Sequence, residues 1–586
     1  MNIIIVVLGV VAVMLVAYFT YGEFLVKKVY ELDDSRKPAA VQMEDGLDFV
    51  PTDSKFLLGQ HFSAIAAAGP ITGPIIAGIA YGWVPAIIWI ILGSIFIGGV
   101  HDMGALVASI RNKGNSITDT VRRNVSKSAW VLFNLFIFVT LVMIMVAFTD
   151  ITASSFVNTI DIGTGERVGG GAIATSSLLY LAIPVIMGLL LRFTRLKLAW
   201  ATVIFLPLVA AAIWVGPYIP FNLQQMLGLA SPLEAQKVWN VFILLYCLGA
   251  AVVPVWMLLQ PRGHLGGYFL YASVIVAGIG VLFGGFKITY PAFTRPIGGD
   301  GFWFPMFPVL FITIACGAVS GFHALVSSGT SSKQIRKESD TKLIGYGAML
   351  MEAVVAVIAL STLMILTQDS ELLKKSPNFI YASGIGAFMD LIGISPAFGI
   401  AFGLMAFTTF VYDTLDICTR LGRYIIQELT GWQGWFGRIF ATVVTGGAPM
   451  VLILITLKDT EGNPVPAWKV FWQTFGASNQ LLAALALVGI TIWLLNTAKN
   501  RKAWLVAFIP AVIMVVLSSW SLVRMFVIAT IKDGVFALPA GPNVIAPVAC
   551  LIYLALAAWM VVVTVQAVLA RKNGWRSPLP APAGAN

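Results

Sequence analysis

The stretch Ala66-Ala67-Ala68-Gly69-Pro70-Ile71-Thr72-Gly73-Pro74 decides the fold. It lies inside an apolar block, roughly 56–80, that is long enough to cross a bilayer. Two Gly-Pro pairs in one block are a strong helix-breaking signal, because proline lacks the amide donor and glycine has no side-chain constraint. Broken backbone at membrane depth is tolerated only where protein or a cavity satisfies it. A weaker break, Gly249-Ala250-Ala251-Val252-Val253-Pro254-Val255-Trp256, is expected in the block at about 239–260. Freed amides and half-helix N-termini can hold an anionic group, and freed carbonyls can hold a cation.

Around this stretch, the chain of 586 residues is 58% hydrophobic and 11% charged, against roughly 25% charged in a soluble domain. Fifteen apolar spans are read at about 2–21, 56–80, 84–109, 129–149, 171–191, 198–216, 239–260, 265–286, 303–329, 343–366, 394–419, 436–457, 470–495, 504–523 and 544–570. The first lacks a basic leader region and a small-residue cleavage site, so it reads as a retained helix. Short alternating segments, the mark of a membrane barrel, are not seen. The net charge of +10 collects in short loops between spans, which favours membrane orientation over nucleic-acid binding. With the N-terminus outside and the C-terminus inside, 27 of the 37 lysines and arginines fall on the inner side, Arg262 and Arg576 among them. Cys247, Cys316, Cys418 and Cys550 show no CxxC pairing and read as small buried residues.

The two expected breaks lie five helices apart and so cross in opposite directions. That is the pattern of an inverted-repeat secondary transporter. The reading is an all-α polytopic membrane protein of about 15 transmembrane helices: an N-terminal helix and linker (1–55), repeat one (56–216), a connector (217–238), repeat two (239–419) and four further helices (420–586). The substrate carboxylate is expected at Gly69, Pro70, Ile71, Thr72 and Gly73, with Pro254 and Trp256 opposite.

Ionisable residues inside spans are costly and mark function by default. His61, His101, Asp102, His323, Glu352 and Asp413 all fall in the inner third of five different spans. A histidine beside a carboxylate suits proton coupling. The alternatives are a metal site, which no local His spacing supports, and polar residues that bridge packed helices. Ser320, Ser327 and Ser328 flank His323 and are candidates for Na⁺ coordination or for close packing. Asn479 and Gln480 lie beyond the expected core and read as packing residues. Walker, kinase and GxSxG motifs are not found, so an enzyme is not expected and an ion gradient would drive transport.

Asp45-Gly46-Leu47-Asp48-Phe49-Val50-Pro51-Thr52, Gly59-Gln60-His61-Phe62, Gly69 to Pro74, Gly98-Gly99-Val100-His101-Asp102, Ser320 to Lys333 and Phe475 to Gln480 occur in order along the chain. In these segments the chain resembles the carbon starvation protein A family. The resemblance implies a bacterial cytoplasmic-membrane symporter for small peptides or pyruvate, with the LeuT-like five-plus-five fold of the amino acid–polyamine–cation transporters. Expected partners are a small-molecule substrate and the lipid bilayer, with a homo-oligomer possible and no nucleic acid. The coupling ion is expected to be H⁺, with Na⁺-coupled amino-acid or carboxylate symport and a membrane nutrient sensor as the alternatives. No cofactor is expected.

Overall fold

The computed structural model describes residues 1–45, 49–124, 126–161, 167–254, 256–294, 306–432, 434–458, 462–532, 535–539 and 541–572. Gly46 to Asp48 of the first resemblance segment, Val255, positions 303–305 of the ninth expected span, and Arg576 lie outside them.

The spans are α1 (Ile3–Val29), α2 (Ser54–Ile65), α3 (Gly69–Tyr81), α4 (Trp83–Arg111), α5 (Lys127–Val157), α6 (Gly170–Phe193), α7 (Leu198–Tyr218), α8 (Pro232–Val252) and α9 (Leu259–Phe283). They continue with α10 (Val309–Thr313), α11 (Gly321–Gly329), α12 (Lys342–Met364), α13 (Pro377–Asp390), α14 (Pro396–Thr430), α15 (Gly434–Leu454), α16 (Ala467–Thr497), α17 (Leu505–Thr530) and α18 (Gly541–Gln566). Thirteen of these are long and apolar enough to cross a membrane singly, and α2 with α3 makes one more. The chain is therefore a multi-pass membrane protein. The ninth expected span, at 303–329, appears among the described residues as the two short helices α10 and α11. Sequence periodicity missed α13, which pairs along α14: Gly386 meets Gly399, and Ala382 meets Gly403.

The first break is where the sequence placed it. Helix α2 ends at Ile65, Ala66 to Ala68 leave the helical path, and α3 restarts at Gly69 with a 46° bend. The second break is elsewhere. Helix α8 is unbroken to Val252, and Pro254 and Trp256 to Leu258 lie between it and α9. Proline just past a helix end is ordinary, because it stops a helix without interrupting a span. The interrupted span is instead α10/α11, where Ile314 to Ser320 run outside the helices between two half-helices. That stretch has no proline. Its signal is Gly317, which adopts φ +87°, a left-handed conformation that glycine takes at little cost.

The two interruptions face each other. Side chains added at Gly69 and Gly73 would collide with Cys316 and with the Thr313 carbonyl. Helix α2 packs on α11 and α3 packs on α10, while α4 and α12 close the group from either side. Helices α5, α8, α14 and α15 form a second packed group beside it.

Candidate functional site

Unwinding at Ile314–Ser320 leaves carbonyls and amides without helical partners, and these need new ones in the interior. Helix α16 supplies them. Gln480 Nε2 donates to the carbonyls of Phe311 (2.9 Å), Ile314 (3.3 Å) and Val319 (3.3 Å), and Asn479 Oδ1 accepts from Phe322 N at 2.9 Å. Asn479 Nδ2 donates to Ser320 Oγ at 3.0 Å, and Trp89 Nε1 donates to the Ile314 carbonyl at 3.1 Å. Asn479 and Gln480 thus bridge α16 to the neighbouring broken span, as packing residues placed at the second break itself.

Next to this break is a buried relay. Asp102 Oδ1 lies 2.7 Å from His101 Nδ1, and Asp102 Oδ2 lies 2.8 Å from His323 Nδ1. His323 Nε2 lies 3.3 Å from Glu352 Oε2, and Glu352 Oε1 accepts from Gly317 N at 3.2 Å. All four side chains are fully buried, and they bring α4, α11 and α12 together. The carboxylate of Asp102 fixes both imidazoles by their Nδ1 atoms, so the two Nε2 atoms are the ones left to take or give a proton. Neither Nε2 has a hydrogen-bond partner among the described residues.

Asp413 is not part of this relay. It accepts from Ser63 Oγ and from Arg262 Nε, both at 2.7 Å. Arg262 also bonds Asp416 Oδ2 at 2.5 Å, the Tyr412 carbonyl at 3.0 Å and the Tyr246 hydroxyl. Its side chain is wholly buried on α9, so it is an interior anchor and not the loop cation that the span boundary at 265 implied. A buried charge of this kind is retained only when its partners neutralise and hydrogen-bond it.

His61 Nδ1 sits 2.7 Å from Ser331 Oγ, and His61 makes no hydrogen bond to either cluster among the described residues. Ser328 Oγ donates to the Ala324 carbonyl and accepts from Ile117 N. The hydroxyls of Ser327 and Thr72 are buried and have no partner among the described residues. Pro70 and Ile71 lie in the first turn of α3 and are buried. Trp256 is far from this group: it stacks edge-on against Phe193 and under Arg192. The ring contacts of Trp256 are thus with α6, whereas Gly69 and Gly73 face Cys316 and Thr313 of the second break.

Between α2, α9, α11 and α14 lies a cavity of about 220 Å³. Gln60, His61, Ser63, Arg262, Ser331, Lys333, Asp413 and Arg420 line it. Lys333 and the stretch Val50–Thr52 close its basic end, where Val50 N bonds the Lys333 carbonyl and Thr52 N the Gln334 carbonyl. Three cations against one carboxylate make the lining attractive to a small anion.

The family model "Carbon starvation protein CstA" matches residues 1–378 and 367–521. Over 566 residues the chain is 31% identical to "Peptide transporter CstA" of Helicobacter pylori, covering 86% of this chain and 79% of that protein. It is 31% identical over 558 residues to the protein of the same name in Bacillus subtilis, covering 87% and 88%. It is 30% identical over 591 residues to "Pyruvate/proton symporter BtsT" of Escherichia coli, covering 87% and 80%. A solved manganese transporter of Eremococcus coleocola is a distant likeness, with TM-score 0.48 at 13% identity over 91% of this chain and 99% of that one. The chain belongs to the carbon starvation protein CstA family.

Proposed function

We propose that this protein is a proton-coupled symporter that brings pyruvate or a short peptide into the cell across the bacterial cytoplasmic membrane. The observation that carries the coupling half is His323, held between two buried carboxylates, Asp102 and Glu352, beside the second break, whose Gly317 amide also donates to Glu352. A proton arriving at His323 Nε2 has Glu352 Oε2 within 3.3 Å. Three helices share the relay, so its protonation state changes how they attract one another. The names of the relatives, peptide transporter and pyruvate/proton symporter, support the substrate class.

The substrate carboxylate is assigned to the cavity beside Arg262. On this reading it competes with Asp413 for the guanidinium, which offers bidentate geometry to either. The start of α3, Gly69 to Gly73, completes the path, with the helix N-terminus favouring an anion. The basic face is the cytoplasmic one, with the N-terminus outside and the C-terminus inside, as the lysine and arginine bias requires.

The core reads as five plus five, with boundaries moved from those of the sequence reading. Repeat one is α2/α3, α4, α5, α8 and α9, with the hairpin α6–α7 inserted. Repeat two is α10/α11, α12, α14, α15 and α16. The packing supports this placement. Helix α5 lies on α8 as α14 lies on α15, α2 lies on α9 as α11 lies on α16, and α3 meets α12 as α11 meets α4.

Uptake of labelled pyruvate and of a labelled dipeptide into proteoliposomes tests the function. An inward proton gradient is expected to drive accumulation of at least one of them. Uptake indifferent to proton and sodium gradients alike rejects symport, and accumulation driven by sodium alone transfers the coupling role to the Na⁺ reading.

A further inference from the structure

The second break carries one reactive group that proton coupling leaves unused, the thiol of Cys316. Its Sγ, a ring nitrogen of His323 and a carboxylate oxygen of Glu352 all lie within 4.8 Å of one another, and all three residues are buried. We propose that these three side chains form a binding site for a thiophilic divalent cation of the zinc class.

The geometry is close to what such an ion requires. Zinc takes thiolate sulfur at about 2.3 Å and nitrogen or oxygen at about 2.0–2.2 Å in tetrahedral array, so its donors sit roughly 3.5 Å apart. His323 Nε2 and Glu352 Oε2 are already at 3.3 Å, yet neither makes a hydrogen bond among the described residues. Two buried polar atoms that face each other without hydrogen-bond alignment have the disposition of two ligands of one ion. Each ligand is also held from behind. Asp102 Oδ2 engages His323 Nδ1, the outer carboxylate that metal-binding histidines commonly have. Gly317 N occupies Glu352 Oε1 and leaves Oε2 outward, and Ser320 Oγ lies 3.4 Å from the sulfur.

Charge selects the class of ion. A divalent cation offsets one thiolate and one carboxylate, while Asp102 stays hydrogen-bonded to His101 and His323. The thiol proton leaves as the ion binds. Sodium, magnesium and calcium favour oxygen donors and gain little from sulfur and imidazole. An ion here would tie α11 to α12 and occupy the Nε2–Oε2 pair that the proton needs, so it should inhibit transport. Binding itself does not depend on the coupling reading.

Co²⁺ titrated into the purified full-length protein tests the site. One Co²⁺ per chain is expected, with a thiolate-to-cobalt charge-transfer band. The band should survive Cys247→Ala, Cys418→Ala and Cys550→Ala and vanish in Cys316→Ser. Asp102→Asn, which alters only the positioning residue, should keep the band while binding about 10–100-fold more weakly. X-ray absorption on the unmutated protein needs no variant to fold and should report one sulfur with nitrogen and oxygen donors. Absence of bound Co²⁺, a sulfur-free shell, or a band that persists in Cys316→Ser overturns the site. Normal uptake by protein that gives no band rejects the site alone, and the band in protein whose metal-free form shows no uptake rejects symport alone.

Discussion

The protein buries two ionic clusters, and they are built on opposite principles. Around Arg262 the charge is permanent and its fork is occupied by Asp413, Asp416, Tyr246 and the Tyr412 carbonyl. Around His323 every member can change its charge, and two ring nitrogens and one carboxylate oxygen are left without hydrogen bonds. The first arrangement suits an anchor whose charge is fixed and whose partner can be exchanged. The second suits a group that gains and loses a proton. What differs is whether the central group can change its charge.

The comparison is most exposed at Arg262. Replacing it with Met leaves Asp413 and Asp416 buried without a counter-charge, at a cost of about 3–5 kcal/mol. A large fall in melting temperature and in the monodisperse fraction is expected, with recovery when Asp413→Asn and Asp416→Asn are added. Full stability of the single variant would remove the anchor. His323→Gln should behave in the opposite way. The fold persists, because glutamine keeps a hydrogen-bonding group at the site, while proton-driven accumulation drops by about a hundredfold, the scale of a lost positioned proton-transfer group. Substrate exchange without a gradient, measured in the same vesicles, should survive.

Gln480→Leu removes the donor to three carbonyls at the second break. The expected loss is about 1–3 kcal/mol for the orphaned carbonyls, read by thermal unfolding. Trp256→Ala should change the least. Its ring lies against Arg192 and Phe193 and not at the breaks, so the KM for pyruvate should stay within about twofold, since cation–π contacts at accessible sites are worth about 0.5–1 kcal/mol. A large rise in KM would return Trp256 to the substrate path.

Much of this was legible in the sequence, and the exceptions have physical causes. The apolar blocks marked all thirteen helices that are long and apolar enough to cross singly among the described residues, because lipid leaves the backbone no other choice. The Gly-Pro pairs at 69–74 marked the first break unambiguously. The second was hidden because Ile314 to Ser320 contains only small and apolar residues, and its unwinding is held by Gln480 and Asn479, about 160 positions later. Pro254 misled because proline stops a helix at its end as readily as it breaks one in the middle. The histidines and acids were visible as intramembrane charges, but their sorting into two clusters was not. Asp102, His323 and Glu352 converge only through helix packing, and Arg262 was masked by hydropathy, which places an arginine beside an apolar block in the loop. Cys316 looked inert because its ligand partners are 7 and 36 residues away.

Pyruvate-evoked proton movement in vesicles is the most direct test, with the wild type and His323→Gln reconstituted side by side. On addition of pyruvate without a preset gradient, the wild type should take protons inward together with substrate, and the variant should move substrate without them. Equal proton uptake by the two proteins would contradict the assignment of His323 as the group that carries the coupled proton.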